Sequence, residues 1–260
     1  MKKLNKEAEK WHNRGWLALS VLIGIGFWTI LSFIPRTSRV FPNIIEVSKQ
    51  IAVMIKRGVF FKDIQSSLIS IFAGYALGFI FALPIAILMA WYRPVRKVIE
   101  PWIQFVRNIP PLAYVPLVVI GAGVGRKPQI IVITLATFLT MSIIIYSGIL
   151  NIDDTLIKAA KVLGASDKDI FLRVLAPASL PFILTAIRLG ASVALTTLVA
   201  AESTGAFAGL GMRIRSLNNN FETKPMLLYI ITIGVIGLII EKIIKFLERK
   251  LTGWQEKRVI

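Results

Sequence analysis

The sequence contains no cysteine and a single histidine, His12, in its polar N-terminal stretch. Thiol-ligated zinc and iron–sulfur clusters are therefore excluded, and too few imidazoles remain for a bis-histidine haem. Charge is scarce too: 17% of the 260 residues are Asp, Glu, Lys or Arg, against about 25% in a soluble protein. What charge there is leans one way, with 31 basic and 14 acidic residues for a net +17. No Walker A glycine-rich loop is present, so the chain is not expected to bind or hydrolyse ATP itself. No basic segment is interleaved with aromatics as a base-stacking platform would be, which argues against nucleic acid. In place of these, 55% of the residues are hydrophobic, gathered in long blocks, and the mean hydropathy is +0.70. Such a chain buries its core in lipid, while Lys and Arg between the blocks face cytosol and anionic headgroups. Membrane lipid is the first expected partner; neither metal nor cofactor is expected.

A helix needs about 20 apolar residues to cross the hydrocarbon core, and six segments qualify as spans. They are Trp16–Ile34, Ser67–Tyr92 (containing Pro84), Pro101–Gly123, Gln129–Leu150, Leu180–Ala201 and Met226–Lys245. The first follows a basic tail as a signal peptide would, but it is longer than a signal core and lacks a small-residue cleavage site before Pro35. It reads as a retained span. The third is interrupted by Arg107, Pro110, Pro111 and Pro116. Between the first two spans, Ile44, Val47, Ile51, Ile55 and Val59 recur every three or four positions, which predicts an amphipathic helix within Phe41–Phe61. With the N-terminus cytosolic, the inner segments (the Arg93–Lys97 loop among them) hold 18 basic residues and the outer segments 11. The positive-inside bias thus places both termini in the cytosol.

The inner segment from Asn151 to Ser179 is the longest and has local order of its own. Asp153 or Asp154 can cap a short helix running from Thr155 to Leu163, and Gly164 occupies the position of a left-handed stop. Ser166 and Asp169 resemble a capping box that opens a second short helix, and Pro177 is expected to end it. Two interpretations stay open from these residues alone: an apolar face packed back on the bundle, or a knob at Ala159 and Ala160 shaped for a partner's groove.

The order Lys158-Ala159-Ala160, three residues, Gly164, nine residues, Val174-Leu-Ala-Pro177 resembles the EAA loop of ABC importer permeases. That pattern is Glu-Ala-Ala, three residues, Gly, nine residues, Ile, any residue, Leu, Pro. The spacing agrees throughout, while Lys158, Val174 and Ala176 depart from Glu, Ile and Leu. Arg107-Asn-Ile-Pro-Pro-Leu-Ala-Tyr-Val-Pro116 is similar to the third-span signature of permeases for nitrate, sulfonate, taurine and bicarbonate. Ala200-Ala-Glu202 with Gly209-Leu-Gly211 is similar to the close of their fifth span. The resemblance covers nearly the whole chain. It implies an all-α integral membrane protein with six transmembrane helices and the type I ABC importer (MetI-like) permease fold. It further implies a homodimer, two copies of an ATPase subunit and an extracytoplasmic solute-binding protein. The coupling loop for the ATPase would use Lys158, Ala159, Ala160, Gly164, Ala165, Ser166, Val174 and Pro177. On this basis residues 1–15 are a cytosolic basic tail and 16–64 the first span with its amphipathic segment. Residues 65–248 are the permease core carrying the loop at 151–179, and 249–260 a second cytosolic tail.

Charges within the bilayer cost several kcal/mol unless they snorkel, pair or face water. Arg107 and Arg188 either snorkel to inner headgroups or face a pathway. Glu202, the sole acidic residue between Asp169 and Glu222, is either interfacial or part of an outer gate or substrate contact. Pro110 and Pro111 either kink the third span or, with Tyr114, open a pore-lining stretch. Glu241 is expected to pair with Lys245, and Gly74 with Gly78 to permit close helix packing. The solute implied by the family is a small anion, with vitamin precursors of the thiamine or riboflavin type as the alternative. Two other classes are weaker. An ion-driven secondary transporter calls for internal repeats and paired broken helices, and a membrane enzyme calls for a nucleophile–base or metal constellation; neither pattern is evident.

Overall fold

The structure, a computed structural model, describes the backbone of residues 2–251 and the side chains of 15–251. His12 and the residues beyond Leu251 fall outside the described side chains. Among the described residues every regular element is helical. In chain order these are α1 (Lys2–Phe33), α2 (Ile44–Lys56), α3 (Phe60–Trp91), α4 (Arg93–Arg107), α5 (Pro111–Ala122), α6 (Arg126–Leu150), α7 (Asp154–Val162) and α8 (Asp167–Asp169). A π-helical stretch, Ile170–Leu175, leads into α9 (Ala176–Ser203), followed by α10 (Leu210–Asn219) and α11 (Thr223–Leu251). The chain divides into two compact units, Met1–Phe60 with Ser216–Tyr229, and Phe61–Arg215 with Ile230–Ile260.

In the first unit, Gly15–Phe33 of α1 is long and apolar enough to cross a membrane and has no buried residue. A lone helix tolerates hydrocarbon on all sides because its backbone groups are satisfied internally. Trp28 Nε1 donates to the Pro42 carbonyl at 2.9 Å, tying the following turn to the helix. Asn43 Oδ1 accepts the Ile45 N–H at 2.9 Å and starts α2, as an N-cap does. The expected amphipathic helix is therefore present, but its buried face differs. Val47 and Met54 are buried, whereas Ile51 and Ile55 are exposed. Positions seven apart lie on one line of a helix, so a narrower stripe than the sequence suggests does the packing. The start of α11 joins this unit through Lys224–Glu46 at 2.9 Å and Arg57–Glu222 at 3.8 Å.

At the centre of the second unit α6 packs along α9, and glycine permits the close approach. A Cβ on Gly148 would overlap the Phe182 ring, and one on Gly190 would strike Met141. The Gly74–Gly78 pair serves α3 in the same way. A Cβ on Gly74 would stand 2.7 Å from Ile133 Cβ, and one on Gly78 would overlap the Thr137 hydroxyl. Thr134 Oγ1 then reaches the Gly74 carbonyl at 3.2 Å. Small residues let helices touch where lipid leaves no hydrophobic drive for association.

Five helical stretches are continuous candidate spans: Gly15–Phe33, Phe60–Trp91, Arg126–Leu150, Asp167–Ser203 and Thr223–Leu251. The third expected span is not one helix. Instead α4 and α5 are bent by 101° at Asn108–Pro110, and counting the pair as one span gives six. Consecutive prolines cannot supply two of the N–H groups that a continuous helix requires. Arg93–Lys97, expected as a loop, forms the first turn of α4. Pro94 stands where a missing N–H costs nothing,. Pro177 likewise ends no helix but lies in the first turn of α9. The Ala176 N–H reaches back five residues to the Phe171 carbonyl, and this wider π turn accommodates the proline ring that a regular turn would reject.

Replacing Gly78 by Leu should overpack the α3–α6 contact and cost about 1–3 kcal/mol, read as a lower unfolding temperature of the detergent-solubilised protein. Gly234→Leu, whose added Cβ meets nothing within 4 Å, should leave that temperature unchanged.

Candidate coupling loop and pathway site

The loop after α6 is built from capping chemistry. Asp153 Oδ1 accepts the Thr155 N–H at 2.8 Å and opens α7. The Thr155 hydroxyl and N–H beside it hold the Asp153 carboxyl below the usual carboxylate range. At the other end the Ala165 N–H reaches the Ala160 carbonyl and the Gly164 N–H the Lys161 carbonyl, both at 3.0 Å. This is a Schellman closure, and it requires the left-handed φ of +80° found at Gly164,. Ser166 then caps α8: its hydroxyl donates to Asp169 Oδ2 at 2.6 Å and accepts the Asp169 N–H at 3.2 Å.

The first interpretation left open by the sequence, an apolar face packed back on the bundle, is what this loop shows, and Ala160 of the expected Ala159–Ala160 knob lies on that packed face. Ile152, Ile170 and Leu175 form a buried cluster, with Ile157, Ala160 and Ala165 packed against it. On the other face Lys158 and Ala159 are exposed, and Val162 and Leu163 project with 87% and 86% of their surface free. Val174 is half-buried, and Ser166 and Pro177 are exposed. Two large apolar side chains thus project as a knob from the tip of a helix capped at both ends.

A second feature lies at the α4–α5 break. Arg107, Ile109, Pro111 and Tyr114 line a cavity of about 240 Å³, closed by Thr140 of α6 and Thr196 of α9. Arg107 is the last residue of α4, exposed, with Nη2 donating to Gln104 Oε1 at 3.1 Å. Pro110 stands at the bend itself, as the residue that precedes α5. The cavity thus combines one cation, hydroxyl groups and an apolar wall, a set suited to hold a small anion. Among the described residues no group of three His, Cys, Asp or Glu converges as a metal site.

Arg188 and Glu202 do not join this cavity. Arg188 pairs with Glu248 at 3.4 Å. The expected Glu241–Lys245 pair forms nearby on α11 at 2.6 Å. Glu202 is fully buried. Its Oε1 accepts the Ser67 hydroxyl and its Oε2 the Gly211 N–H, each at 2.7 Å. Asp63, also fully buried, accepts the Gly209 N–H at 3.1 Å and Arg213 Nε–H at 2.8 Å. The Ser67 hydroxyl accepts the Leu210 N–H at 2.9 Å. Two carboxylates thereby fasten the turn between α9 and α10 onto α3. Gly209, at φ +143°, has no room for a Cβ beside the Glu202 carboxylate. Sequence reasoning passed over Asp63, Ser67 and Arg213, although an acidic residue at the head of a long apolar block was a signal that could have marked Asp63.

Residues 75–253 match the family described as binding-protein-dependent transport system inner membrane component. The chain belongs to that family. It is 41% identical over 239 residues to a protein of Brucella abortus (strain 2308) named "Probable ABC transporter permease protein", covering 92% of this chain and 95% of that one. The taurine transport system permease protein TauC of Escherichia coli (strain K12) is 32% identical over 243 residues, with 91% and 87% covered. Among solved structures, an inward-facing form of the MetNI methionine ABC transporter superposes with a TM-score of 0.66 at 18% identity. That match covers 74% of this chain and 95% of the other, and it supports the fold. The protein is thus a multi-pass inner-membrane permease subunit of an ABC importer, a family whose members work with an ATPase and a substrate-binding protein. The permease family match begins at Tyr75 and leaves α1 and α2 outside it.

Arg213→Met should remove the cation facing a buried carboxylate and cost the permease about 3 kcal/mol of stability. Adding Asp63→Asn should recover part of that loss. Paired thermal unfolding curves of the single and double variants in detergent check both statements.

Proposed function

We propose that this permease carries a small anion, of the sulfonate or nitrate type, through a pathway that includes the Arg107 cavity. Transport would be driven by an ATPase seated on the loop from Lys158 to Pro177. The observation that carries this reading is the Val162–Leu163 knob. It is exposed, capped at both ends of its helix, and joined through the π-helical stretch to α9, which contributes Thr196 to the cavity. A pull on the knob reaches a wall of the cavity through the Gly164 turn and then the continuous helical run from Asp167 to Ser203. The family resemblance supports two copies of the permease around a shared axis, each engaging one ATPase, with a solute-binding protein on the outer face. The basic bias of the inner segments supports cytosolic termini. No Walker A motif occurs in the sequence, which supports hydrolysis by the partner subunit. A similar protein bears the name of a taurine transporter, and the guanidinium of Arg107 is a bidentate donor suited to a sulfonate. The permease performs no covalent chemistry. It has two packings, and its partners decide which is lower in free energy.

Co-purification with a candidate ATPase tests the coupling loop. Leu163→Ser removes an apolar group worth roughly 1.5–3 kcal/mol when buried, and should weaken ATPase retention about tenfold or more. Gly164→Asp, which strains the left-handed turn, should do the same. In proteoliposomes holding the wild-type complex and its binding protein, taurine uptake should require ATP. Retention of the ATPase by both folded variants would move docking elsewhere, and ATP-independent uptake would reinstate a secondary transporter.

A further inference from the structure

A cavity of about 590 Å³ lies between the ends of α3, α6 and α9 that adjoin α7. Its lining changes character along the helices. Leu83 and Ile87 of α3 and Ile183 of α9 make one end apolar, and Leu83 stands about 12 Å along the axis from Trp91. Beyond Trp91 come Arg93 and Arg96 at the start of α4, with Lys161 of α7. Two acids, Asp154 and Asp167, share this polar end, leaving one net positive charge. Behind this end the Tyr146 hydroxyl donates to Glu100 at 3.2 Å. Arg93 and Lys161 form no ion pair among the described residues. Trp91, whose ring meets Phe171 edge-on at 5.6 Å, marks the change from apolar to polar, the level at which tryptophan collects in membranes.

We propose that this cavity binds one anionic phospholipid, its phosphate between Arg93 and Lys161 and an acyl chain along Leu83, Ile87 and Ile183. The apolar depth selects a lipid over a free anion, and the surplus cation selects an anionic headgroup over a zwitterionic one. On the orientation proposed above this lipid belongs to the cytosolic leaflet; the binding itself does not depend on that orientation. Ile157 and Ile170, which brace the coupling loop from behind, line the same cavity. The lipid would therefore stiffen the loop at the base of the knob.

Native mass spectrometry of the purified full chain, titrated with dioleoyl phosphatidylglycerol or dioleoyl phosphatidylcholine, tests the site without any ATPase present. The wild type should bind phosphatidylglycerol about fivefold more tightly, the effect of about one basic residue at a membrane surface. Arg93→Glu, at an exposed position, should abolish that preference. Ala90→Phe should fill the cavity and weaken both lipids, with each variant checked for an unchanged melting curve. Equal affinity of the wild type for the two lipids would overturn the proposal. So would a preference for phosphatidylglycerol that survives in folded Arg93→Glu, undiminished binding of both lipids to folded Ala90→Phe, or displacement of the lipid by equimolar glycerol 3-phosphate.

Discussion

The close contact of α6 with α9 sets the terms for the rest of the second unit. Water is absent from the bilayer interior, so helices cannot be driven together by burying apolar surface, and they adhere by packing. Gly148 and Gly190 remove the Cβ atoms that would hold Phe182 and Met141 off. With α9 seated this way, its near end carries the loop at 151–179 and its far end carries Glu202. The threonine hydroxyls beside Arg107, from Thr140, Thr196 and Thr197, come from these same two helices. The proposed pathway wall is therefore part of the best-packed element of the chain rather than an appendage to it.

Regular helix is interrupted where a change of shape is useful. The Asn108–Pro110 break leaves irregular backbone beside the cavity, which membranes tolerate only where protein or water covers it. The π-helical turn at Ile170–Leu175 joins α8 to α9 without breaking the helical path. At the far end, Asp63, Ser67 and Glu202 bind three consecutive backbone amides, from Gly209 to Gly211. That arrangement fixes the turn after α9, at the end of the helix opposite the loop. Interfaces of packed helices favour discrete arrangements over continuous bending, consistent with a subunit that alternates between two states.

The spans, the caps and the glycine contacts were legible because each is written in neighbouring residues. Asp153, Gly164 and Ser166 specify their turns within five positions of the chain, and Gly74 with Gly78 announces a packing face by spacing alone. The 101° bend was legible as an interruption but not as an angle, since two prolines state that a helix stops and not where the next one points. Pro177 misled because a proline usually ends a helix, and the π turn that rescues it has no local signature. Glu202 stands out in the sequence as a lone acid, yet its partner Ser67, and Asp63 that holds the neighbouring Gly209 amide, lie far away in sequence. Its role could be seen only once α3 and α9 were side by side. Arg188 raised the same difficulty, since its partner Glu248 belongs to the last helix.

The absence of cysteine makes one measurement direct. A cysteine placed at Thr196 would be unique in the chain, and a membrane-impermeant thiol reagent would report which side of the membrane reaches the cavity. The account predicts labelling from the cytosolic side when the ATPase is nucleotide-free, and from the outer side when ATP and the loaded binding protein are present. Labelling from the same side in both states, or from neither, would contradict an alternating pathway operated from the loop at 151–179.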